Sequence, residues 1–266
     1  MDLLKGKVAI IAGAGRGVGR AVAEAYAAEG AAVALAARTA SEIEQLASEI
    51  HARGGAALAI PTDISKTDQV ERLFALAHHE LGAVDILVTN AAANGPIGMV
   101  WETNPDEWLD LYNINVVGMV RCARAALPAM IKRRSGKIII VGSIAGYSDA
   151  WAARRPELAA YGLTKAAANR FARLLSEQVK PFGINVNCIG VSARTRLDYE
   201  ARVELARLHG EPPPPEPHNA PRHEKTLPEE NIAPFVFFAS ALSDHITGQY
   251  IEANTLPDGL RHSSVA

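Results

Sequence analysis

Cysteine is almost missing from this sequence: Cys122 and Cys188 are the only two in 266 residues. Two thiols cannot staple a disulfide scaffold, and such sparing use fits a reducing cytoplasm. No Cys-x-x-Cys or His-x-x-His spacing occurs among the eight histidines, so no metal site is expected. Neither charge sign dominates. The net charge of −2 provides no basic surface for nucleic acid or anionic lipid. Uninterrupted apolar runs of membrane-spanning length are absent, and so is a basic, apolar leader at the start. The expectation is a cytoplasmic protein with neither membrane nor nucleic-acid partners.

Present instead is enough apolar material, 48% of the residues, to build one substantial core, so residues 1–266 are expected to form a single domain. Short apolar runs alternate with helical patterns. The run Lys7–Ala12 reads as a buried strand. Gly13-Ala14-Gly15-Arg16-Gly17-Val18-Gly19 follows, and then an alanine-rich helix, Arg20 to Glu29, stopped by Gly30. Strand, glycine turn and helix start together make an anion site. Unpaired backbone N–H groups face a phosphate, and absent side chains let it approach. Gly19 also allows the helix to sit close to the sheet.

Further strands are expected at 31–37, 56–61, 85–88, 136–142, 184–189 and 249–252. Ile43, Leu46, Ala47 and Ile50 show helical spacing, as do Val70, Leu73, Phe74, Ala77 and Leu81. These stripes face a sheet and leave His78 and His79 as ordinary helix residues. The pattern predicts an α/β fold, a Rossmann-like doubly wound parallel sheet of about seven strands with helices on both faces.

The end of the second strand selects the nucleotide. An acid there would hold a ribose 2′-hydroxyl. This chain has Ala37, Arg38 and Thr39 instead. Arg38 with Arg16 could flank a 2′-phosphate, which suits guanidinium groups, so NADP(H) is expected. The plain alternative is that Arg38 is a solvated loop charge.

Tyr161 and Lys165 stand four apart in Tyr-Gly-Leu-Thr-Lys and share one helix face. A fixed ammonium is expected to lower the phenol pKa from about 10 toward the working range. That makes an acid/base group for interconverting an alcohol and a carbonyl.

Taken together these pieces resemble the short-chain dehydrogenase/reductase family. Its glycine motif appears as Ala12-Gly13-Ala14-Gly15-Arg16-Gly17-Val18-Gly19. Asp63-Ile64 sits where the family places an acid near adenine. Asn90-Ala91-Ala92, after Thr89, matches in part the Asn-Asn-Ala-Gly that lies along the cofactor; Thr89 and Ala92 depart from it. Asn115 resembles the asparagine that holds a water behind the lysine, and Ser143 resembles the catalytic serine. The likeness runs from about residue 5 to about residue 255.

The resemblance implies a mechanism. Ser143 hydrogen-bonds the substrate carbonyl, and Tyr161 gives its proton to the oxygen. Lys165 lowers the Tyr161 pKa and holds the nicotinamide ribose, and Asn115 with a water resupplies the proton. It also implies a homodimer or homotetramer. Taken singly, Asn115 could be a buried amide satisfied by backbone and Ser143 a turn cap.

Departures fall near the substrate. Seventeen residues separate Ser143 from Tyr161, a longer stretch than the family norm, and they include Trp151, Arg154, Arg155 and Pro156. They could meet an anionic or acyl-carrier-bound substrate, or form an exposed insertion for oligomer contacts. The family's Pro-Gly after the sixth strand is Gly190-Val191 here. Thr195, with Ser192 as alternative, is the candidate for the threonine that contacts the nicotinamide amide. Residues 196–228 take the place of a substrate lid, and Glu211–Pro217 should be extended polyproline II. The closing Asp-Gly-Gly is replaced by residues 252–259.

The expected function is an NADPH-dependent reductase of a 3-oxoacyl thioester or small ketone. Alternatives are an NADP-dependent alcohol dehydrogenase and a non-catalytic NADP(H) sensor on the same fold.

Overall fold

A computed structural model describes residues 2–216 and 226–254. Seven strands form one parallel sheet in the order β3-β2-β1-β4-β5-β6-β7. They are β1 Val8–Ala12, β2 Ala32–Ala37, β3 Ala56–Pro61, β4 Ile86–Thr89, β5 Gly136–Gly142, β6 Ile184–Gly190 and β7 Tyr250–Glu252. The helices between them are α1 Gly17–Ala28, α2 Ala40–Ala52, α3 Thr67–Leu81, α4 Pro105–Tyr112, α5 Gly118–Arg133, α6 Asp149–Arg154, α7 Ala159–Val179, α8 Arg196–His209 and α9 Ala233–Ala239. The doubly wound expectation is met.

Burial follows from the period of the strands. Along β1, Ala9 and Ile11 join a core under α1, α2 and α9. Val8, Ile10 and Ala12 join the core under α3, α5 and α7. Because both faces are covered, the strands read as continuous apolar runs rather than as alternation. Tyr26 is fully buried in the first core, where its hydroxyl donates to the Phe235 carbonyl at 2.9 Å.

Two sequence expectations shift. The first helix begins at Gly17, three residues before the expected Arg20, so the last turn of the glycine loop is already helical. Gly30 ends it with φ +87°, a conformation glycine adopts without strain. The second shift concerns apolar length. α4, a π-helical turn at Asn113–Val117 and α5 run on as one helix, Pro105–Arg133, long and apolar enough to cross a membrane. No single run of sequence signalled this, because polar residues interrupt it. Met119, Cys122, Ala123, Ala126 and Met130 pack into the sheet core, which is how an interior helix of a globular fold comes to be apolar.

The stretch expected to be a lid is mixed. Its first half is α8, and residues 211–216 take no regular structure. Pro217, and the replaced closing motif from Thr255 on, lie outside the described residues.

The strand order reverses between β1 and β4, and the carboxyl ends of such a sheet open a crevice there. Ala91 N–H donates to the Ala12 carbonyl at 2.8 Å across this point. The Asn90 amide donates to the Gly13 carbonyl at 2.8 Å, tying the glycine loop to β4.

Candidate active site

A cavity of about 970 Å³ opens over the carboxyl ends of the strands. Gly13, Gly15, Arg16, Gly17, Val18, Arg38, Thr39, Asp63, Ile64, Asn90, Ala91, Ala92, Ser143, Tyr161, Lys165 and Thr195 all line it. Of the residues singled out from sequence, Gly19 and Asn115 are the two behind the wall. A β-carbon at Gly19 would lie 2.0 Å from the Gly13 carbonyl oxygen and 2.5 Å from Asn90 Nδ2. Its place is therefore the close approach of helix to loop.

The glycine cradle fits a dinucleotide. Arg16 is the N-cap of α1 and makes no side-chain cap, and the first turn carries no acid. The helix N–H groups are thus left for an anion. A β-carbon at Gly13 would come 2.6 Å from the Ala91 backbone nitrogen. At Gly17 it would lie 3.3 Å from Thr195 Cγ2. Thr195 therefore sits beside the cradle. Its hydroxyl also caps α8 by accepting from Asp198 N–H at 3.2 Å. Asp63 accepts from Ser65 N–H at 2.9 Å. Burial pushes its carboxyl pKa up, but the Ser65 hydrogen bonds with the charges of Arg38 and Lys66 outweigh that and hold it low.

One acid in this wall was not foreseen. Glu42, half-buried in the first turn of α2, places Oε2 2.5 Å from where a Gly15 β-carbon would be. Thr39, the N-cap of α2, makes no side-chain cap, and Glu42 turns toward the glycine loop.

At the other end, α7 lies against the end of β5. Lys165 is buried and donates from Nζ to the Val141 carbonyl at 2.9 Å. The same nitrogen stands 5.6 Å from the centre of the Tyr161 ring. The expected depression of the Tyr161 pKa is corrected here. Burial raises it, the Asp198 carboxylate raises it further, and a hydrogen bond with Ser143 only opposes them. Burial has the opposite consequence for the amine, pulling Lys165 down to about 8, with Cys188 acting against it.

Asn115, in the π-helical turn, has its amide committed. Its Oδ1 accepts from Ala93 N–H at 2.8 Å, and its Nδ2 donates to the Ala93 carbonyl at 2.9 Å and to Thr164 Oγ1 at 3.1 Å. The side chain expected to hold a water behind Lys165 thus pins the loop after β4. Thr89, which departs from the family asparagine, is buried with its hydroxyl unpaired.

Asn169 was missed, although it lies four residues beyond Lys165 on the same helix face. Its Nδ2 donates to the Ser143 carbonyl at 3.0 Å and its Oδ1 accepts from Ser143 N–H at 3.4 Å. Room for it depends on glycine. A β-carbon at Gly142 would lie 2.3 Å from its Oδ1, and one at Gly146 2.6 Å from its Nδ2. From the far side, Glu252 on β7 accepts hydrogen bonds from Tyr147, at 2.9 Å, and from Tyr250.

The insertion before Tyr161 folds onto the cavity rather than away from it. Trp151, Arg154, Arg155 and Leu158 line the wall.

The profile of the short chain dehydrogenase family matches residues 7–199. A 2,3-dihydro-2,3-dihydroxybenzoate dehydrogenase of Bacillus subtilis is 32% identical over 186 residues, 70% of this chain and 69% of that protein. A short chain dehydrogenase of Pseudocercospora fijiensis is 37% identical over 183 residues, 68% of this chain and 57% of that protein's length. Among solved structures, a short-chain type dehydrogenase/reductase from Mycobacterium marinum superposes with a TM-score of 0.82 at 31% identity, covering 96% of this chain and 98% of that one. An NAD+-bound xylitol dehydrogenase gives 0.83 at 25% identity, covering 94% and 98%.

Two outcomes are expected from this geometry. Asn169→Ala should lower kcat while leaving nucleotide affinity unchanged, with activity regained in Asn169→Gln or Asn169→His; steady-state kinetics with a nucleotide titration checks it. A fall in nucleotide affinity alone would place Asn169 elsewhere. Between pH of about 8, where folded Lys165 loses its proton, and its ordinary value of 10.5, the unfolded chain holds more protons. Stability from this residue should therefore rise with pH across that window, and Lys165→Met should lack the rise. Urea unfolding of both proteins without added nucleotide, compared at neutral and alkaline pH, tests the sign.

Proposed function

The chain belongs to the short-chain dehydrogenase/reductase family, and from that premise we propose that it is an NADP(H)-dependent oxidoreductase reducing a ketone to a secondary alcohol. The observation that carries the reading is a single cavity joining an uncapped glycine-helix cradle to Ser143, Tyr161 and Lys165. The nicotinamide cofactor, when bound, supplies the hydride. Arg16 and Arg38 would hold the 2′-phosphate, Thr195 would line the cradle, and Lys165 would face the nicotinamide ribose.

The protein groups do the rest. Ser143 hydrogen-bonds the carbonyl oxygen and steadies charge as it grows there. Tyr161 hands that oxygen its phenolic proton. A raised pKa keeps the phenol protonated at neutral pH, which suits a proton donor and opposes a base. The side-chain amide of Asn115 is engaged, so its part is to hold Ala93 at the cavity edge. A 3-oxoacyl compound or small ketone is the substrate. A non-catalytic nucleotide sensor would have no use for Ser143, Tyr161 and Lys165 in one cavity.

A second reading has its own support. Glu42 brings a carboxylate to Gly15, where it could accept from a ribose 2′-hydroxyl, the role of the acid that the end of β2 lacks. NAD(H) and the alcohol-oxidising direction follow from it, and a similar structure is NAD+-bound. The exposed apolar residues Leu109, Tyr112, Val117, Val120, Leu163 and Leu174, on or beside α4, α5 and α7, support a homodimer or homotetramer. A cytoplasmic location accords with two buried free thiols.

Reduced-nicotinamide consumption against a ketone panel tests the reading. Tyr161→Phe should nearly abolish turnover and leave NADPH binding intact; full activity in that variant removes Tyr161 from its role. Arg38→Asp should shift preference toward NADH and Glu42→Gln toward NADPH. An unchanged ratio in the first contradicts the 2′-phosphate reading, and in the second it contradicts the ribose reading.

A further inference from the structure

The stretch between Ser143 and Tyr161 builds a compartment of its own. Trp151 on α6 stands over Gly162, the residue after Tyr161. A β-carbon there would lie 3.3 Å and 3.9 Å from two indole carbons. An added β-carbon would press the indole back by a few tenths of an ångström. Trp151 also packs with Ile97 against Leu158, Ala201 and Leu205, a small apolar cluster apart from the two sheet cores. The wall next to Tyr161 is thus flat, apolar and aromatic.

The insertion is fastened on two sides. Glu157 Oε1 accepts from His209 Nε2 at 2.8 Å, which ties it to the end of α8. The Glu157 carbonyl accepts from Gly98 N–H at 2.9 Å, which ties it to the loop after β4. Between Trp151 and Glu157 lie Arg154 and Arg155, both exposed and both on the cavity wall. Among the described residues neither makes an ion pair. Glu157, the acid whose charge Arg155 feels, is engaged with His209. A third guanidinium, Arg202 on α8, lines the same cavity, as does Asp198. In a chain of net charge −2, cations gather at this rim.

We infer that this compartment takes a substrate bearing a carboxylate: an apolar or aromatic body lies along Trp151, and the carboxylate meets Arg154 and Arg155. A planar guanidinium grips a carboxylate through paired hydrogen bonds, and an apolar wall beside it strengthens the charge contact. This names the substrate class of the reductase reading above and rests on it. An oligomer-facing insertion would leave Trp151 and the two arginines outside the cavity.

Calorimetry on the NADP+-saturated protein tests the inference without needing turnover. The probes are 3-phenylpropanoate and its uncharged amide, 3-phenylpropanamide; saturation keeps the carboxylate out of the phosphate cradle. The carboxylate should bind roughly tenfold more tightly than the amide, the usual scale for a charge-assisted pair. In R154A/R155A that advantage should vanish. On the unsubstituted protein, added salt should shrink it while the amide's affinity holds. Equal binding of the two probes, or an advantage that survives both salt and R154A/R155A, overturns the inference. Turnover is scored separately on 3-benzoylpropanoate. A carboxylate preference with no reduction of any carbonyl sinks the reductase reading and leaves the compartment standing.

Discussion

The site hangs on one contact, the side of α7 laid against the end of β5 and the turn after it, with glycine at 142 and 146 where they approach. Tyr161, Lys165 and Asn169 follow one another at four-residue intervals along that side. The Lys165 amine reaches the Val141 carbonyl at 2.9 Å, and the Asn169 amide grips Ser143 by its N–H and its C=O. Helix and strand could not come so near if Gly142 or Gly146 carried a side chain. The relative placement of serine, tyrosine and lysine is therefore a property of backbone packing, fixed before any substrate arrives.

That packing also sets the electrostatics, with a sign that sequence spacing did not anticipate. Four-residue spacing says that two side chains are neighbours. It does not say how much solvent they keep. Here both are drawn into protein, and desolvation disfavours each charged form, raising the tyrosine and lowering the lysine. The phenol is a proton store at neutral pH rather than a ready base. Asp198, one turn into α8, pushes the same way, and its arrival from a different element was invisible in the local pattern.

What was legible in the sequence is what repeats or interrupts along the chain. Strand positions were legible within a residue or two, most clearly for the central strands β1, β4, β5 and β6, which are buried on both faces. Glycine at fixed intervals gave the cradle. Contacts made across the fold were not legible. Glu42 carried no mark in the sequence, and tertiary packing brings its carboxylate to Gly15. The hydrogen bonds of the Asn115 amide to Ala93 and Thr164 were likewise invisible in the local pattern. The inserted stretch before Tyr161 could face either way on composition alone. The glycine at 162, one residue past the tyrosine, gives the Trp151 indole its close seat, a contact across the fold that no local pattern announces.

β7 is three residues long, yet its Glu252 holds Tyr147, four positions after Ser143. The edge of the sheet that steadies the loop bearing Ser143 thus comes from a strand 105 positions further along the chain than Tyr147. A change at Glu252, though far from Ser143 in sequence, would therefore loosen the loop that carries it.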